Sequence, residues 1–399
     1  MWARQRVCRA LVPALISLVW AIQSWAQPVP EVVGVSHGAG GESVRLTLHF
    51  SEPPAFSIFT LTNPNRLVLD FPAMNWDLPE GSFEDVPYVA KGRFGLFRAD
   101  RARMVLELAE PVAVDRAYVS TPEEDVPARL VLDLSLSTQA AFDARAGAPE
   151  MARWQGTPPE VPAPVAGDIV IALDAGHGGV DPGASFEGVT EKAVTLTFAK
   201  ELAAELDQRP GYQAYLIRDT DVFVPLAERV ERAHRAKAHV LISIHIDQLE
   251  EGVASGISIY RLSEKATDAA AAALAERENR VDLLAGIDLG GQDDDLTMVL
   301  IELAQRGTKV ESAKLANAML ATLTGQVRLL RSRPLREANF RVLKAPDIPS
   351  ILLELGFLNS GADRARFADP EWRALTASLV ADGIARWRAE ASPGFLTPR

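Results

Sequence analysis

The chain has 399 residues, 48% of them hydrophobic and 24% charged. This length allows two or more domains, each with its own core, and the composition is that of a globular protein rather than a disordered one. The formal net charge of −12 at pH 7, without an arginine-rich stripe, argues against a nucleic-acid partner.

The first 26 residues have the layout of a secretory signal peptide. Three arginines precede an apolar stretch over 10–22, and Ser24-Trp25-Ala26 is a small-x-small cleavage pattern. An uncleaved membrane anchor is the alternative, but the apolar stretch is shorter than the roughly 20 residues that span a bilayer. We therefore expect residues 1–26 to be removed with the only cysteine. The expected product is a periplasmic monomer without a membrane span.

Residues 30–137 have the pattern of an all-β domain. Short alternating or apolar runs are separated by clusters of Pro, Gly, Asn and Asp, as expected for strands and turns. This pattern predicts a small β-sandwich. A Pro-, Ala- and Gly-rich stretch without apolar periodicity follows over 138–167 and predicts a linker. The clearest strand runs are SVRLTLHF, NRLVLDF, RMVLELAE and ARLVLDLSL.

From residue 168 to 392 strand and helix patterns alternate, which predicts an α/β domain. The runs DIVIAL, YQAYLIR, HVLISIH and PSILLELGF are typical of buried strands, and helical runs lie between and after them. Such alternation predicts a mostly parallel sheet covered by helices on both faces. The stretch over about 250–340 is largely helical and too long for an ordinary connection, so we expect an insertion or a regulatory element there.

Ionisable residues stand at the ends of three predicted strands. Asp174 and His177 follow DIVIAL, His245 ends HVLISIH, and Glu354 lies near the end of PSILLELGF. Because ligands bind at the carboxyl ends of the strands in an open parallel sheet, we expect these side chains at one edge. Glu191, in the first turn of the helix after DIVIAL, can reach the same edge.

Two imidazoles and one carboxylate form a common zinc site with a fourth position for water. Such a water is acidic enough to supply hydroxide near neutral pH, and a free carboxylate beside it, here Glu354, can act as general base. The alternatives are a capped turn for His177 and a structural core position for His245. His239 shares the strand of His245 but lies roughly 20 Å away, too far to share an ion. No role is predicted for His37, His49 and His234.

Several segments together resemble a known family. They are LDAGHGGVDPGA, Glu191-Lys192, SIHID at 243–247, RENRVD at 277–282 and VLKAPDIPSILLELGFLN at 342–359. The sequence resembles the zinc-dependent N-acetylmuramoyl-L-alanine amidases of cell division, which carry an N-terminal AMIN domain. The resemblance is strong over 168–390 and weaker over 30–136.

The resemblance implies hydrolysis of the amide between N-acetylmuramic acid and L-alanine in peptidoglycan, for septal wall splitting. It implies one zinc ion per chain. The implied ligands are His177, Glu191 and His245, and the implied catalytic glutamate is Glu354. The AMIN domain is implied to bind peptidoglycan and to target the protein to the division septum.

The resemblance also gives the helical stretch over 250–340 a meaning. In similar amidases a helix from this region lies over the active site, and its glutamate caps the zinc until a LytM-domain activator displaces it. Glu278 occupies the corresponding position; the alternative is a solvated helix acid. We expect Asp247 and Asp174 to orient the zinc ligands from outside the coordination shell.

Two other kinds of protein are compatible with the sequence. One is a non-catalytic peptidoglycan-binding scaffold with a decayed hydrolase domain, and the other is a zinc peptidase that cuts within the stem peptide. The intact ligand set together with Glu354 argues against a decayed, non-catalytic domain. The metal content of the purified protein tests this alternative, because a scaffold need not bind zinc. Digestion products separate the two enzymes, because an amidase leaves intact peptides that begin with L-alanine.

Overall fold

The computed structural model describes residues 30–396, except 41–42, 80, 121, 123–126, 162, 164, 166, 250–253 and 289–294, and gives the backbone alone for 295–306. The predicted signal peptide over 1–26 therefore lies outside the described residues. Among the helices that are described, none combines the length and the apolar character needed to cross a membrane.

Nine strands form the N-terminal domain as two sheets that pack face to face. The sheet orders are β5-β1-β2-β9-β8 and β3-β4-β7-β6. Alternate side chains of both sheets, such as Leu46, Leu69, Leu106 and Leu132, meet in one core, which confirms the predicted all-β sandwich. The strands are β1 (Glu31–Gly40), β2 (Ser43–Phe50), β3 (Ser57–Leu61), β4 (Arg66–Pro72), β5 (Asn75–Trp76), β6 (Val89–Arg98), β7 (Arg101–Leu108), β8 (Val112–Ser120) and β9 (Ala128–Leu136).

The segment that connects the two domains is docked rather than free over part of its length. It begins with helix α1 (Gln139–Asp143), whose Phe142 packs into the sandwich core. After a 3₁₀ turn at Glu150–Ala152, the indole Nε1 of Trp154 donates to the carbonyl oxygen of Phe223, 3.2 Å away in the second domain. The linker predicted over 138–167 is thus anchored near its start by Phe142 and near its middle by Trp154.

The second domain is built on a six-stranded sheet of order β13-β10-β14-β17-β15-β16. All neighbouring pairs are parallel except β15 and β17, so the predicted mostly parallel sheet is confirmed. Its strands are β10 (Ile169–Ala175), β13 (Tyr212–Leu216), β14 (Val240–Asp247), β15 (Ser258–Leu262), β16 (Leu335–Ala338) and β17 (Ser350–Phe357), and a separate hairpin is formed by β11 (Ser185–Phe186) and β12 (Val189–Thr190).

Helices cover both faces of this sheet, as its strands predict by being apolar on both sides. Phe198, Met319 and Trp387, from three helices, pack on one face, and Ala233 and Leu274 belong to clusters on the other. The helices are α2 (Glu191–Asp207), α3 (Leu226–Arg235), α4 (Ala269–Asn279), α5 (Val281–Leu284), α6 (Asp295–Leu323), α7 (Gly361–Ala368) and α8 (Pro370–Glu390), with 3₁₀ turns at Arg341–Leu343 and Pro393–Phe395.

The stretch over 250–340 is less uniformly helical than its composition indicates. It contains β15 and β16, which extend the main sheet, and the C-terminal half of α6, whose Leu315 and Met319 lie in the main core. Much of this stretch is therefore integral to the domain. The part that extends over the end of the sheet is narrower and consists of α4, α5 and the turn that follows. We call residues 269–288 the covering segment.

Candidate metal centre

Three neighbouring strands deliver the predicted residues to one edge of the sheet. His177 follows β10, and His245 and Glu354 are direct register partners on β14 and β17. The rings of His177 and His245 meet edge to face with their centroids 5.1 Å apart. Both imidazoles are more than 90% buried. Residues separated by almost 180 positions in the chain therefore converge at one buried point.

Glu191 lies between the two imidazoles because the β11–β12 hairpin returns the chain to them. Its Oε2 is 3.1 Å from Nε2 of His177, and its Oε1 is 3.0 Å from Nδ1 of His245. The same two oxygens accept backbone N–H groups of Ala184 and Ile246, each at 2.9 Å. These backbone donors fix the position of the carboxylate.

A second carboxylate reaches the same point from the covering segment. Oε2 of Glu278, on α4, lies 3.3 Å from Nε2 of His177 and 3.4 Å from Nδ1 of His245. One ligand atom from each of these three residues falls within 4.8 Å of the others. Glu278 is buried, so the alternative of a solvated helix acid does not hold in this structure.

Asp181, which the sequence analysis did not single out, orients His177. The Nδ1–H of His177 donates to Oδ2 of Asp181 at 2.7 Å, which leaves Nε2 directed at the two glutamates. A carboxylate in this position fixes the tautomer and raises the basicity of a metal-binding imidazole. The signal was present in the sequence, since Asp181 stands four residues after His177 in the same glycine-rich segment.

The loop that carries His177 is held in a strained conformation. His177 has a φ of 59°, a region that non-glycine residues rarely adopt. Buried Arg229 donates to the carbonyl oxygen of His177 at 3.0 Å and to Oδ1 of Asp174 at 2.7 Å. Asp174 therefore contacts the site through Arg229, and its other oxygen accepts from Ser243 at 2.6 Å. Nothing in the pattern of α3 distinguished buried Arg229 from exposed Arg235 on the same helix.

Glycine is required at position 183 in the same loop. Its φ is 69°, and a Cβ there would lie 2.6 Å from both Oε2 of Glu191 and Cδ2 of His177. Any side chain would displace one of these groups. Gly176, next to His177, also allows a close approach, since a Cβ there would lie 2.5 Å from Cε1 of His245.

Glu354 is a buried carboxyl without a partner. Within the described part of the chain, no hydrogen bond reaches either of its oxygens. Burial, reinforced by the charges of Asp247, Glu191 and Glu278, raises the pKa of Glu354 well above its ordinary value. A group of this kind is suited to proton transfer near neutral pH.

Asp247 connects the sheet to the covering segment. It follows His245 across an irregularity in the β14–β17 register, a device that re-aims side chains near active sites. Its Oδ1 accepts from Arg277 at 2.6 Å, and Arg277 precedes Glu278 on α4. Burial raises the pKa of Asp247 in spite of the opposing charge of Arg277.

The charges at the centre favour a cation. Burial by itself lowers the pKa of His177, but the carboxylates of Asp181, Glu191 and Glu278 outweigh burial and raise that pKa well above its ordinary value. Nε2 of His177 is buried and has no hydrogen-bond partner among the described residues. An orphaned imidazole nitrogen beside a second imidazole and two carboxylates fits a divalent metal ion with nitrogen and oxygen ligands.

The site is closed in this structure. The cavity beside His177, His245 and Glu278 has a volume of about 10 Å³, room for about one water molecule. Val281 of the covering segment and Phe340 form part of its wall. The centre can thus hold an ion, but the cavity is too small for a larger ligand.

The remaining histidines lie elsewhere. His239 accepts the N–H of Val170 at 3.0 Å at the far end of β14, and His234 pairs with Asp347 at 2.6 Å on the outside of α3. His37 and His49 belong to the sandwich.

Comparisons with known proteins show which family this chain resembles. Residues 171–386 match the family described as N-acetylmuramoyl-L-alanine amidase, and residues 35–136 match the AMIN domain. The chain is 33% identical over 363 residues to the N-acetylmuramoyl-L-alanine amidase AmiC of Neisseria meningitidis serogroup B, with 86% of each chain covered. It is 30% identical over 380 residues to AmiC of Escherichia coli O6:H1, covering 91% of this chain and 90% of that protein. Among solved structures, the amidase AmiC2 of Nostoc punctiforme is 28% identical with a TM-score of 0.39, covering 55% of this chain and 97% of that one.

The family match spans more than half of the chain and includes every residue of the buried centre. The two AmiC proteins extend the similarity through the β-sandwich to most of the chain. The enzyme class predicted from the motifs is thereby confirmed. This chain belongs to the N-acetylmuramoyl-L-alanine amidase family, and its substrate is peptidoglycan.

Proposed function

We propose that this amidase is zinc-dependent and that His177, Glu191 and His245 hold the ion. The observation that carries the proposal is the convergence of these three buried side chains, with Nε2 of His177 left without a hydrogen bond among the described residues. When bound, zinc supplies Lewis acidity that polarises the amide carbonyl and lowers the pKa of the attacking water.

Two carboxylates compete for the role of third ligand, and the way they are held favours Glu191. Its oxygens accept backbone N–H groups from two parts of the framework, Ala184 and Ile246. Glu278 comes from a helix outside the sheet. Glu191 is therefore the permanent ligand in this proposal, and Glu278 is the removable one.

Glu354 is the proposed general base. It accepts the proton of the attacking water and returns it to the leaving amine of L-alanine, so that the peptide departs with a free amino group. Its burial and raised pKa suit both transfers. Asp181 holds the proposed ligand His177, and Arg229 positions the loop that carries it.

Glu278 is proposed to keep the enzyme inactive. Zinc sites with four protein ligands are typical of structural roles, whereas catalytic sites keep one position open. Glu278 lies within reach of both imidazoles, and the cavity of about 10 Å³ beside it excludes substrate. Removal of the Glu278 carboxylate would free the fourth position and release α4 from the imidazoles, so that the covering segment can move away and admit the substrate.

We further propose that a LytM-domain activator displaces the covering segment at the division septum. Export to the periplasm and recruitment through the AMIN domain, which would bind peptidoglycan there, belong to the same proposal. Gating is advantageous for such an enzyme, because continuous cleavage of the wall would lyse the cell.

The test is digestion of purified sacculi by Glu278→Ala, which removes the need for an activator. Zinc-loaded Glu278→Ala is expected to release intact peptides that begin with L-alanine, detected by mass spectrometry, and chelation is expected to stop the release until zinc is restored. Wild type is expected to act weakly, and Glu354→Ala not at all while it retains zinc. Cuts within the stem peptide, or activity unaffected by chelation, would refute the proposal.

Substitution is preferable to deleting residues 264–290 in this experiment. Leu274, Ala275 and Val281 of the covering segment share a buried cluster with Phe340. A deletion would expose this cluster, so a change in activity could come from partial unfolding instead of an opened site. Glu278→Ala leaves the cluster intact.

A further inference from the structure

The outer face of the four-stranded sheet in the AMIN domain is buried against the amidase domain. Side chains that point away from the sandwich core, including Val68, Phe97 and Val105, form a cluster with Val180 and Phe223 of the second domain. Ala285 of the covering segment is part of this cluster and is fully buried. The AMIN domain therefore contacts both the framework of the site and the segment that covers it.

Strand β6 fixes the AMIN domain to the loop that carries His177. The carbonyl oxygen of Leu96 accepts the N–H of Val180 at 3.1 Å, and a Cβ on Gly179 would lie 1.7 Å from the same oxygen. Phe97 stacks on Phe223 with ring centroids 6.0 Å apart. These contacts of β6 fix the AMIN domain to the amidase domain, in a constant position beside the covering segment.

Two buried arginines of the AMIN domain bind the backbone of the covering segment in the last turn of α5 and directly after it. Arg103, fully buried and paired with Asp70 at 2.6 Å, donates to the carbonyl oxygen of Gly286 at 2.8 Å. Arg66 donates to the carbonyl oxygens of Leu283 and, at 3.5 Å, of Ile287. The carbonyl oxygen of Leu283 also accepts the N–H of Gly286 at 3.0 Å, so Arg66 adds a charge-assisted hydrogen bond to an acceptor of the turn.

The turn at Gly286 fits closely against the sheet. Its φ is 71°, and a Cβ there would lie 3.2 Å from Cγ2 of Val105 and 3.3 Å from Cγ2 of Val68. Helix α4, by contrast, borders an open cleft of about 800 Å³ between itself and strands β6 and β7. The AMIN domain thus holds the covering segment at its C-terminal end and leaves α4 space in which to move.

We propose that the outer face of strands β4 and β7 of the AMIN domain is a clamp whose occupant is residues 283–287 of the same chain. By holding this turn against a domain that is fixed to the His177 loop, the clamp keeps Glu278 between the imidazoles. The AMIN domain is then part of the inhibitory apparatus in addition to any wall-binding role. This inference rests on the proposed blocking role of Glu278.

The test loosens the clamp from each side, in the full-length zinc-loaded enzyme. Arg66→Met removes the guanidinium from the AMIN side, and Gly286→Ala adds a methyl group to the turn without altering either domain core. Arg45→Met is the matched control, because Arg45 pairs with Asp133 on the other sheet of the sandwich. Glu278→Gln serves as the reference for an open site.

Both clamp variants are expected to release dye-labelled peptidoglycan fragments roughly tenfold faster than wild type without an activator. Arg66→Met loses hydrogen bonds from a charged donor, and Gly286→Ala places a Cβ at a positive φ against Val105 and Val68. In a Glu354→Gln background, amides of residues 269–288 are expected to exchange hydrogen faster in both clamp variants. Arg45→Met should match wild type in both measurements.

Unchanged hydrolysis and exchange in the clamp variants, with Glu278→Gln activated, would overturn the clamp and leave the blocking role of Glu278 intact. If Glu278→Gln is not activated either, the blocking role itself fails. If Arg66→Met does not fold, as judged by its thermal transition, Gly286→Ala alone decides the question.

Discussion

Two glutamates lie between the same pair of imidazoles, but they are held in different ways. Glu191 begins α2 directly after the β11–β12 hairpin, and framework N–H groups fix both of its oxygens. Glu278 is held through contacts of the covering segment as a whole, including Arg277 to Asp247 and the turn after α5 to the AMIN domain. One carboxylate can therefore leave without disassembling the other's surroundings, which is what a gated metal centre requires.

The largest expected effect removes the proposed general base in a variant whose site is already open. Glu354→Gln, made in the open Glu278→Ala background, is expected to lower hydrolysis of sacculi by about 10²–10⁴-fold, the usual contribution of a general acid–base group. Zinc content, measured by atomic emission, should equal that of the parent. Loss of zinc with activity would mean that Glu354 is a ligand rather than the base.

The second prediction concerns Glu278, the carboxylate that the covering segment places between the imidazoles. Glu278→Gln should raise basal hydrolysis at least about tenfold, because a closed state typically leaves 10% or less of the molecules open. Glu276→Gln is the control, since Glu276 is exposed on the same helix. Equal rates for the two variants would contradict a blocking role for Glu278.

The third prediction weakens the orientation of His177 without changing a proposed ligand. Asp181→Asn removes the carboxylate that accepts from His177 and is expected to weaken zinc binding by about 10–100-fold. Competition with a chromophoric chelator measures this affinity, and Asp219→Asn, in an exposed loop, is the control. Unaltered affinity would show that the backbone contacts of the loop suffice to orient His177.

The smallest expected effect is on stability and depends on pH. A carboxyl whose pKa is raised on folding, as burial raises that of Glu354, stabilises the protein below its unfolded pKa, and this stability is lost as the pH rises through the folded pKa. The melting temperature of the metal-free wild type should therefore fall relative to metal-free Glu354→Gln as the pH rises above about 4.3. Parallel melting curves from pH 4 to 8 would contradict a raised pKa.

Much of the site could be anticipated because strand ends are visible in a sequence. His177, His245 and Glu354 each terminate or follow an apolar run, and parallel strands bring their carboxyl ends to one edge. Glu278 and Asp247 could be placed only through resemblance to a family. Asp181 belongs to the same motif as His177, but it lies in a loop, where no hydrophobic periodicity indicates which way a side chain points. Arg229 could not be distinguished from solvent-exposed arginines on an amphipathic helix.

For the fold, too, some features could be predicted from the sequence and others could not. The sandwich and the mostly parallel sheet were predictable from hydrophobic periodicity, which reports whether one or both faces of an element are buried. Strands β15 and β16 were missed because they are short and lie within a largely helical stretch. Their place in the sheet depends on the pairing of β15 with β17 and of β16 with β15, and not on local pattern.

By itself, the amino-acid order determined the kinds of domain in this chain, the donor atoms at the sheet edge and the family to which they belong, because these depend on local periodicity and short motifs. Only the tertiary structure decided which glutamate is held by backbone N–H groups and that Asp181 accepts from His177. It also decided that Arg66 and Arg103 donate to the carbonyl oxygens at the end of α5 and in the turn that follows. Some of these contacts join residues more than 200 positions apart, and their free energy depends on distance and burial, which no local pattern encodes.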